Sequence, residues 1–254
     1  MLAIIGGTGA TQLGYFVRHH RRVARTPYGE TSGALTFGEI DGQQVVFIAR
    51  HGFGHTIPPH LINYRANIWA LADIKVRRIV ALASVGGIRP DLAPGTLIVP
   101  DQIIDYTWGR PHTFVTEGDK PFVHTDFTRP YDERLRQQLL AAAHDAGEPI
   151  FDGGVYACTQ GPRLETAAEI RRIAGDGGDM VGMTAMPEAI LAREAGLAYA
   201  TLAFTTNWAA GEGGNTERVA LNTASEQSNE ALERILRILR QLVDTSKKAA
   251  VEQA

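Results

Sequence analysis

Residues 77–85, RRIVALASV, form an apolar, β-branched run that ends in small residues, and they read as a strand whose far end opens into ALASVGGI, residues 81–88. Working outward, similar short runs recur as LAII (2–5), VVFIA (45–49) and GTLIVPDQII (95–104), separated by turn residues or by segments of helical period. That alternation predicts an α/β fold, a mixed central β-sheet flanked by helices. Helices are predicted at about 63–74, 131–147, 164–174, 186–195 and 215–244. The last carries Leu232, Ile235, Leu236, Ile238, Leu239 and Leu242 at near-helical spacing and packs that face on the sheet. No repeat or Pro/Ser linker divides the chain, so one domain is expected over residues 1–245, with the small, polar residues 246–254 frayed. A polar, aromatic loop of unusual length is expected over 107–130.

Composition narrows the function. A chain of 254 residues with 44% apolar and 21% charged side chains can bury a full active site. A net charge of −3 supplies no basic excess for a nucleic-acid backbone or an anionic membrane, so neither is an expected partner. A single cysteine, Cys158, allows no intrachain disulfide, and no apolar run approaches the ~18 residues of a membrane span; a soluble cytoplasmic protein is expected.

Five stretches can carry chemistry. In AIIGGTGATQ (3–12) a strand runs into Gly6, Gly7, Thr8 and Gly9, where backbone N–H groups can converge on an anion and the threonine adds a donor. A nicotinamide-binding oxidoreductase is the rival reading, but the third glycine of G-x-G-x-x-G is missing and Glu30 sits in a turn-like setting rather than after a second strand. Arg50 and His51 follow the strand VVFIA and offer a planar fork and an imidazole to phosphate. His51, His55 and His60 also raise the possibility of a metal, against which stand their Pro-rich loop and the lack of a Cys or H-E-x-x-H partner. Ser84 ends a strand in small residues. Glu165, in CTQGPRLETAAEI, stands where a helix begins and could be no more than an exposed glutamate favoured by the helix dipole. Met183 and Thr184 follow a short strand before Pro187 and Glu188 open a helix; a methionine there can be core, and the threonine a further phosphate donor.

Together GGTG (6–9), ARHG (49–52), NYRANIWAL (63–71), TQGPRLET (159–166) and VGMTAMPEA (181–189) resemble the trimeric purine nucleoside phosphorylase and methylthioadenosine phosphorylase family, most closely its bacterial S-methyl-5'-thioinosine phosphorylase branch. The resemblance runs from the first strand to the last helix. It implies a single phosphorylase/hydrolase-like domain, a homotrimer with sites at subunit interfaces, and cleavage of a purine ribosidic bond by inorganic phosphate without metal or organic cofactor. Thr8, Arg50, His51, Ser84 and Thr184 would hold phosphate. Leu164, Glu165, Met183, Asn207, Trp208 and Ala209 would meet the nucleoside, and His124 would reach a neighbour's sugar pocket. Asn207 and His51 would carry the catalysis.

The adenine-specific branch of that family has Asp-x-Asp where this chain has Asn207-Trp208-Ala209. An amide can donate to a 6-oxo group while accepting from a protonated N7, and Glu165 can accept from the N1–H that a 6-oxopurine carries and adenine lacks. Hypoxanthine or guanine is therefore expected. The 5' group follows from a lack: inosine and guanosine phosphorylases of the family place a histidine soon after the base-binding asparagine, yet no histidine here lies beyond His144. Val219 and Leu221 would suit a methylthio group, so S-methyl-5'-thioinosine is the expected substrate, with inosine or guanosine next and methylthioadenosine last. A non-catalytic nucleoside sensor is the remaining alternative.

Overall fold

The computed structural model describes residues 1–6, 16–116, 122–214, 219 and 224–251. The RRIVALASV run is strand β7 (Arg78–Gly87), which is flanked by β1 (Leu2–Gly6) and β13 (Ala198–Trp208), both parallel to it. Beyond β1 lies β6 (Gln43–Ala49), also parallel, followed by the antiparallel β5 (Leu35–Ile40) and β2 (Val17–Arg22). On the far side β13 pairs with β8 (Leu97–Val99), and β8 with β10 (Ile150–Asp152). The last two residues of β7 also meet β12 (Met180–Gly182) antiparallel, which leads a branch through β11 (Val155–Cys158) to β9 (Gln102–Asp105). A separate ribbon joins β3 (Arg25–Thr26) to β4 (Gly29–Glu30). The sheet is mixed, as the sequence predicts.

The central strands are apolar on both faces because helices cover both. From β1, Leu2 and Ile4 join Leu135 and Leu139 of α2 (Glu133–Asp145) and Ile235, Ile238, Leu239 and Leu242 of α5 (Ala224–Val251). Their neighbours Ala3 and Ile5 point the other way, against Ile68 and Leu71 of α1 (Tyr64–Asp73) and Leu191 of α4 (Glu188–Glu194). Each fully buried Leu or Ile contributes about 1.5–3 kcal/mol, so the two layers supply most of the cohesion. A smaller cluster seats Ile170 and Ile173 of α3 (Ala167–Gly175) on Ala157 and Val181.

Local chemistry sets the element ends. The Asn63 side chain accepts from Ala66 N at the start of α1, and Asp132 accepts from Leu135 N at the start of α2. Thr166 and Glu169 form a reciprocal capping box on α3. Pro100, which has no N–H to give a ladder, splits the GTLIVPDQII run into β8 and β9. Helix α5 is first described at Ala224; the predicted start near Asn215 and most of the segment up to it lie outside the described residues. At its other end α5 continues to Val251, beyond the point where fraying is expected. No regular element occurs among the described residues between Tyr106 and Tyr131, in keeping with the predicted long loop. No described helix is long and apolar enough to cross a membrane.

Candidate active site

The parallel strands β6, β7 and β13 deliver their carboxyl ends to one side of the sheet, where ligands of open α/β sheets gather. A cavity of about 420 Å³ opens there, lined by Arg50 and His51 after β6, Ser84 of β7, Met183 and Thr184 after β12, Thr206 and Asn207 of β13, and Leu164 and Glu165 before α3. Ser84 shows why: it is exposed in mid-strand between Ala83 at 6% and Val85 at 2%, so its hydroxyl faces the cavity rather than core. Ala209 and Val219 line the same space, as do Leu232 and Ile235 of α5.

At one end the expected anion-binding groups converge, though not with the expected electrostatics. Arg50, 2% exposed, turns its fork inward: Nε and Nη2 donate to the two carboxylate oxygens of Glu188 at 2.7 and 2.8 Å, and Nη1 donates to Leu82 O at 3.0 Å. Burial opposes the guanidinium charge, but Glu188 more than offsets it and holds the arginine above its ordinary pKa. Three of roughly five guanidinium N–H groups are thus engaged, which leaves two for an anion. Tyr199 completes the carboxylate's shell, donating to Glu188 Oε1 at 2.9 Å.

His51 also departs from expectation. Its Nδ1 lies 2.9 Å from Ile57 O, a carbonyl that can only accept, so Nδ1 carries the proton and Nε2 is left as an acceptor. Burial, with Arg50 alongside, pushes the ring's pKa down to about 4. At neutral pH His51 therefore adds no positive charge. With Arg50 paired and His51 neutral, this end offers hydrogen bonds rather than net charge, with the Ser84 and Thr184 hydroxyls as further donors. Thr8 and the rest of the GGTG turn beyond Gly6 lie outside the described residues.

At the other end stand Glu165 and Asn207. Thr159 Oγ1 donates to Glu165 Oε1 at 2.6 Å, so this glutamate is held by a partner rather than sitting free in a first helical turn. The register of β13 against β7 shifts between Thr205 and Asn207, a β-bulge that breaks strand alternation. Thr206 and Asn207 consequently both face the cavity although they are consecutive. Asn207 Nδ2 donates to Trp208 O at 2.8 Å, and Thr206 Oγ1 lies 2.8 Å from Asn207 Oδ1.

The remaining expected residues are placed differently. Trp208 does not line the cavity; its ring lies against Gly213, where even a Cβ would collide with it. His124 is exposed and packs edge-on to Phe122 at 5.2 Å, and it is absent from the wall of this chain's own cavity. Val219 lines the cavity, whereas Leu221 lies outside the described residues. Cys158 is buried, with its thiol pushed up to about 12 by burial, and accepts from Met186 N. Among the described residues no group of three or more His, Cys, Asp or Glu could hold a metal ion.

Three kinds of residue escape sequence reasoning. Glu188 reads as an ordinary first-turn acid, yet it is wholly buried and pairs across 138 positions. Arg110, 6% exposed, comes from the long loop and donates to Met183 O at 2.9 Å, Met186 O at 2.6 Å and Gln160 O at 2.8 Å, clasping together the two segments that carry Glu165 and Thr184. Thr159 and Thr206, the partners of Glu165 and Asn207, carry no local signal beyond their proximity to those residues in the chain.

Comparison with known proteins agrees with this geometry. Residues 1–244 match the family model described as the phosphorylase superfamily. The chain is 52% identical over 212 residues, 84% of its length and 85% of the relative's, to a probable S-methyl-5'-thioinosine phosphorylase of Xanthomonas campestris pv. campestris. It is 50% identical over 220 residues, 84% of its length and 81% of the relative's, to a 6-oxopurine nucleoside phosphorylase of Pyrococcus furiosus. Among solved structures, a methylthioadenosine phosphorylase from an antarctic soil metagenomic library superposes with a TM-score of 0.90 at 35% identity, covering 100% of this chain and 87% of that one. This chain belongs to the phosphorylase superfamily, and it is a nucleoside phosphorylase by fold and by sequence.

Proposed function

We propose that the protein cleaves the N-glycosidic bond of 6-oxopurine nucleosides with inorganic phosphate, acting best on S-methyl-5'-thioinosine and releasing hypoxanthine and 5-methylthioribose 1-phosphate. The observation that carries this reading is that one cavity has anion-directed donors at one end and, at the other, an amide and a carboxylate suited to a 6-oxopurine edge. Relatives at 50–52% identity with 6-oxopurine or thioinosine names support it.

The chemistry follows from the placement. As the C1'–N9 bond breaks, its electron pair departs into the purine and a phosphate oxygen forms the new bond at C1'. The proton of monohydrogen phosphate balances the N–H gained by the free base. Asn207 Oδ1 accepts from N7–H while the spare Nδ2 hydrogen meets O6, and Glu165 accepts from N1–H. Because these dipoles are fixed before charge develops, they favour the transition state over the ground state, by a few kcal/mol for a contact of this kind. The phosphate, held by Arg50, Ser84 and Thr184, with Thr8 added on the family resemblance alone, is positioned by hydrogen bonds rather than by an unpaired cation. His51 Nε2 accepts a hydrogen bond from the phosphate's proton-bearing oxygen.

Val219 favours an apolar 5' substituent, at about 0.8 kcal/mol per buried CH₂-sized contact. The reading carries with it a homotrimer in which His124 serves a neighbouring sugar pocket, a cytoplasmic location and no cofactor. Base release from S-methyl-5'-thioinosine, inosine, guanosine and methylthioadenosine, with and without phosphate, tests it. Phosphate-dependent release, fastest from S-methyl-5'-thioinosine, is expected; phosphate-independent release, or none, overturns the proposal.

A further inference from the structure

We propose that Thr159 and Thr206 are specificity-determining positioning residues, each locking one base-reading group in the state that accepts a 6-oxopurine and rejects a 6-aminopurine. The inference rests on the functional reading above. An asparagine amide is symmetric in shape but not in chemistry: turned over, it would present Oδ1 to an exocyclic amino group and Nδ2 to an unprotonated N7, which is the pattern of adenine. Asn207 alone therefore does not choose the base. Its orientation does.

Two contacts set that orientation. Trp208 O, 2.8 Å away, only accepts, so the amide nitrogen must face it. The oxygen then faces Thr206 Oγ1 at 2.8 Å, and that hydroxyl must be the donor. Its other available acceptor, Val85 O, is longer at 3.3 Å, so the single hydroxyl hydrogen goes to Asn207. Were the amide turned over, its oxygen would oppose a carbonyl oxygen. One N–H and one acceptor position remain, matched to O6 and N7–H.

Thr159 does the parallel work for the carboxylate. Its hydroxyl donates to Glu165 Oε1 at 2.6 Å, fixing the rotamer and leaving Oε2 to accept from N1–H. Both threonines stand beside the group they set, and Thr206 is brought there by the bulge in β13.

Threonine-to-valine substitution keeps the shape and removes the donor, while threonine-to-serine keeps the donor. The experiment measures kcat/KM for S-methyl-5'-thioinosine and methylthioadenosine with saturating phosphate, alongside melting temperature. Thr206→Val is expected to narrow the 6-oxo over 6-amino preference by about tenfold, and Thr159→Val by about fivefold, chiefly through KM, whereas Thr206→Ser and Thr159→Ser keep the parent ratio. A merely structural role would lower both substrates together. Valine variants that retain the parent ratio within about twofold overturn the proposal. Should Thr206→Val fail to fold, Thr206→Ala and Thr159→Val carry the same ratio test. A parent protein that releases no base from any nucleoside sinks the functional reading and this inference with it; a discriminating parent with indifferent variants sinks this inference alone.

Discussion

The two ends of the cavity are built on opposite principles. The anion end is buried and electrostatically closed: Arg50 is bound to Glu188, which is fully buried and shared with Tyr199, and His51 is neutral. The base end is half-buried, and its readers are set by single hydroxyls from neighbouring residues. Stability and anion binding are therefore entangled at the first end, while base choice at the second can be changed at small structural cost. The relatives' names differ in the nucleoside and share the word phosphorylase, a variation that such a division would serve.

The largest expected effect tests the entanglement. Glu188→Gln leaves a buried guanidinium without its counter-charge, which should destabilise the fold by about 3–5 kcal/mol and lower Tm by on the order of 10 °C. A variant that melts with the parent and shows only a raised phosphate KM would make the anion end as separable as the base end. Next in size, Asn207→Asp should shift relative kcat/KM for 6-amino over 6-oxo nucleosides by on the order of 100-fold with Tm nearly unchanged. Paired kinetics on inosine-type and adenosine-type substrates check this, and an unmoved ratio would break the contrast from the other side.

The smallest effect concerns His51. Its pKa lies near 4 in the fold, below its ordinary value, so between about pH 6.5 and 4 the unfolded chain binds a proton that the folded chain does not. The stability it contributes is fully present above pH 6.5 and is lost as pH falls through that window. Melting curves from pH 7 to 5 should therefore slope less steeply in His51→Asn than in the parent. Equal slopes would place the histidine's proton elsewhere. Phosphate KM should show no step near pH 6.5 from this group.

How much was legible follows the range of the interactions. Apolar runs such as Leu2–Ile5, Val45–Ala49 and Arg78–Gly87 declare strands because their burial is a property of the segment itself. Strand β2, VRHHRR, is exposed throughout and exists through its pairing with β5, so no hydrophobic pattern announces it. Arg50, His51, Ser84, Glu165, Met183, Thr184, Asn207 and Ala209 all meet at the cavity because each lies in the carboxyl-terminal half of a strand or in a loop that the fold gathers on one side. The state of Arg50 was not legible, because its partner stands 138 residues away at the head of α4. Nor was the placement of Trp208, since a simple pleat gives no notice of the bulge just before it.

That bulge has a further consequence. It amounts to one residue of slack in β13: Thr205 already stands opposite Val85 and Asn207 opposite Gly86, so deleting Thr206 would restore an even pleat and leave everything downstream on the side it already faces. Asn207 would still face the cavity with the ladder to β7 whole, but without the hydroxyl that now lies 2.8 Å from its Oδ1. The seat of a donor next to that amide thus depends on a single surplus peptide unit, a counting feature of the backbone that no inventory of side chains would reveal.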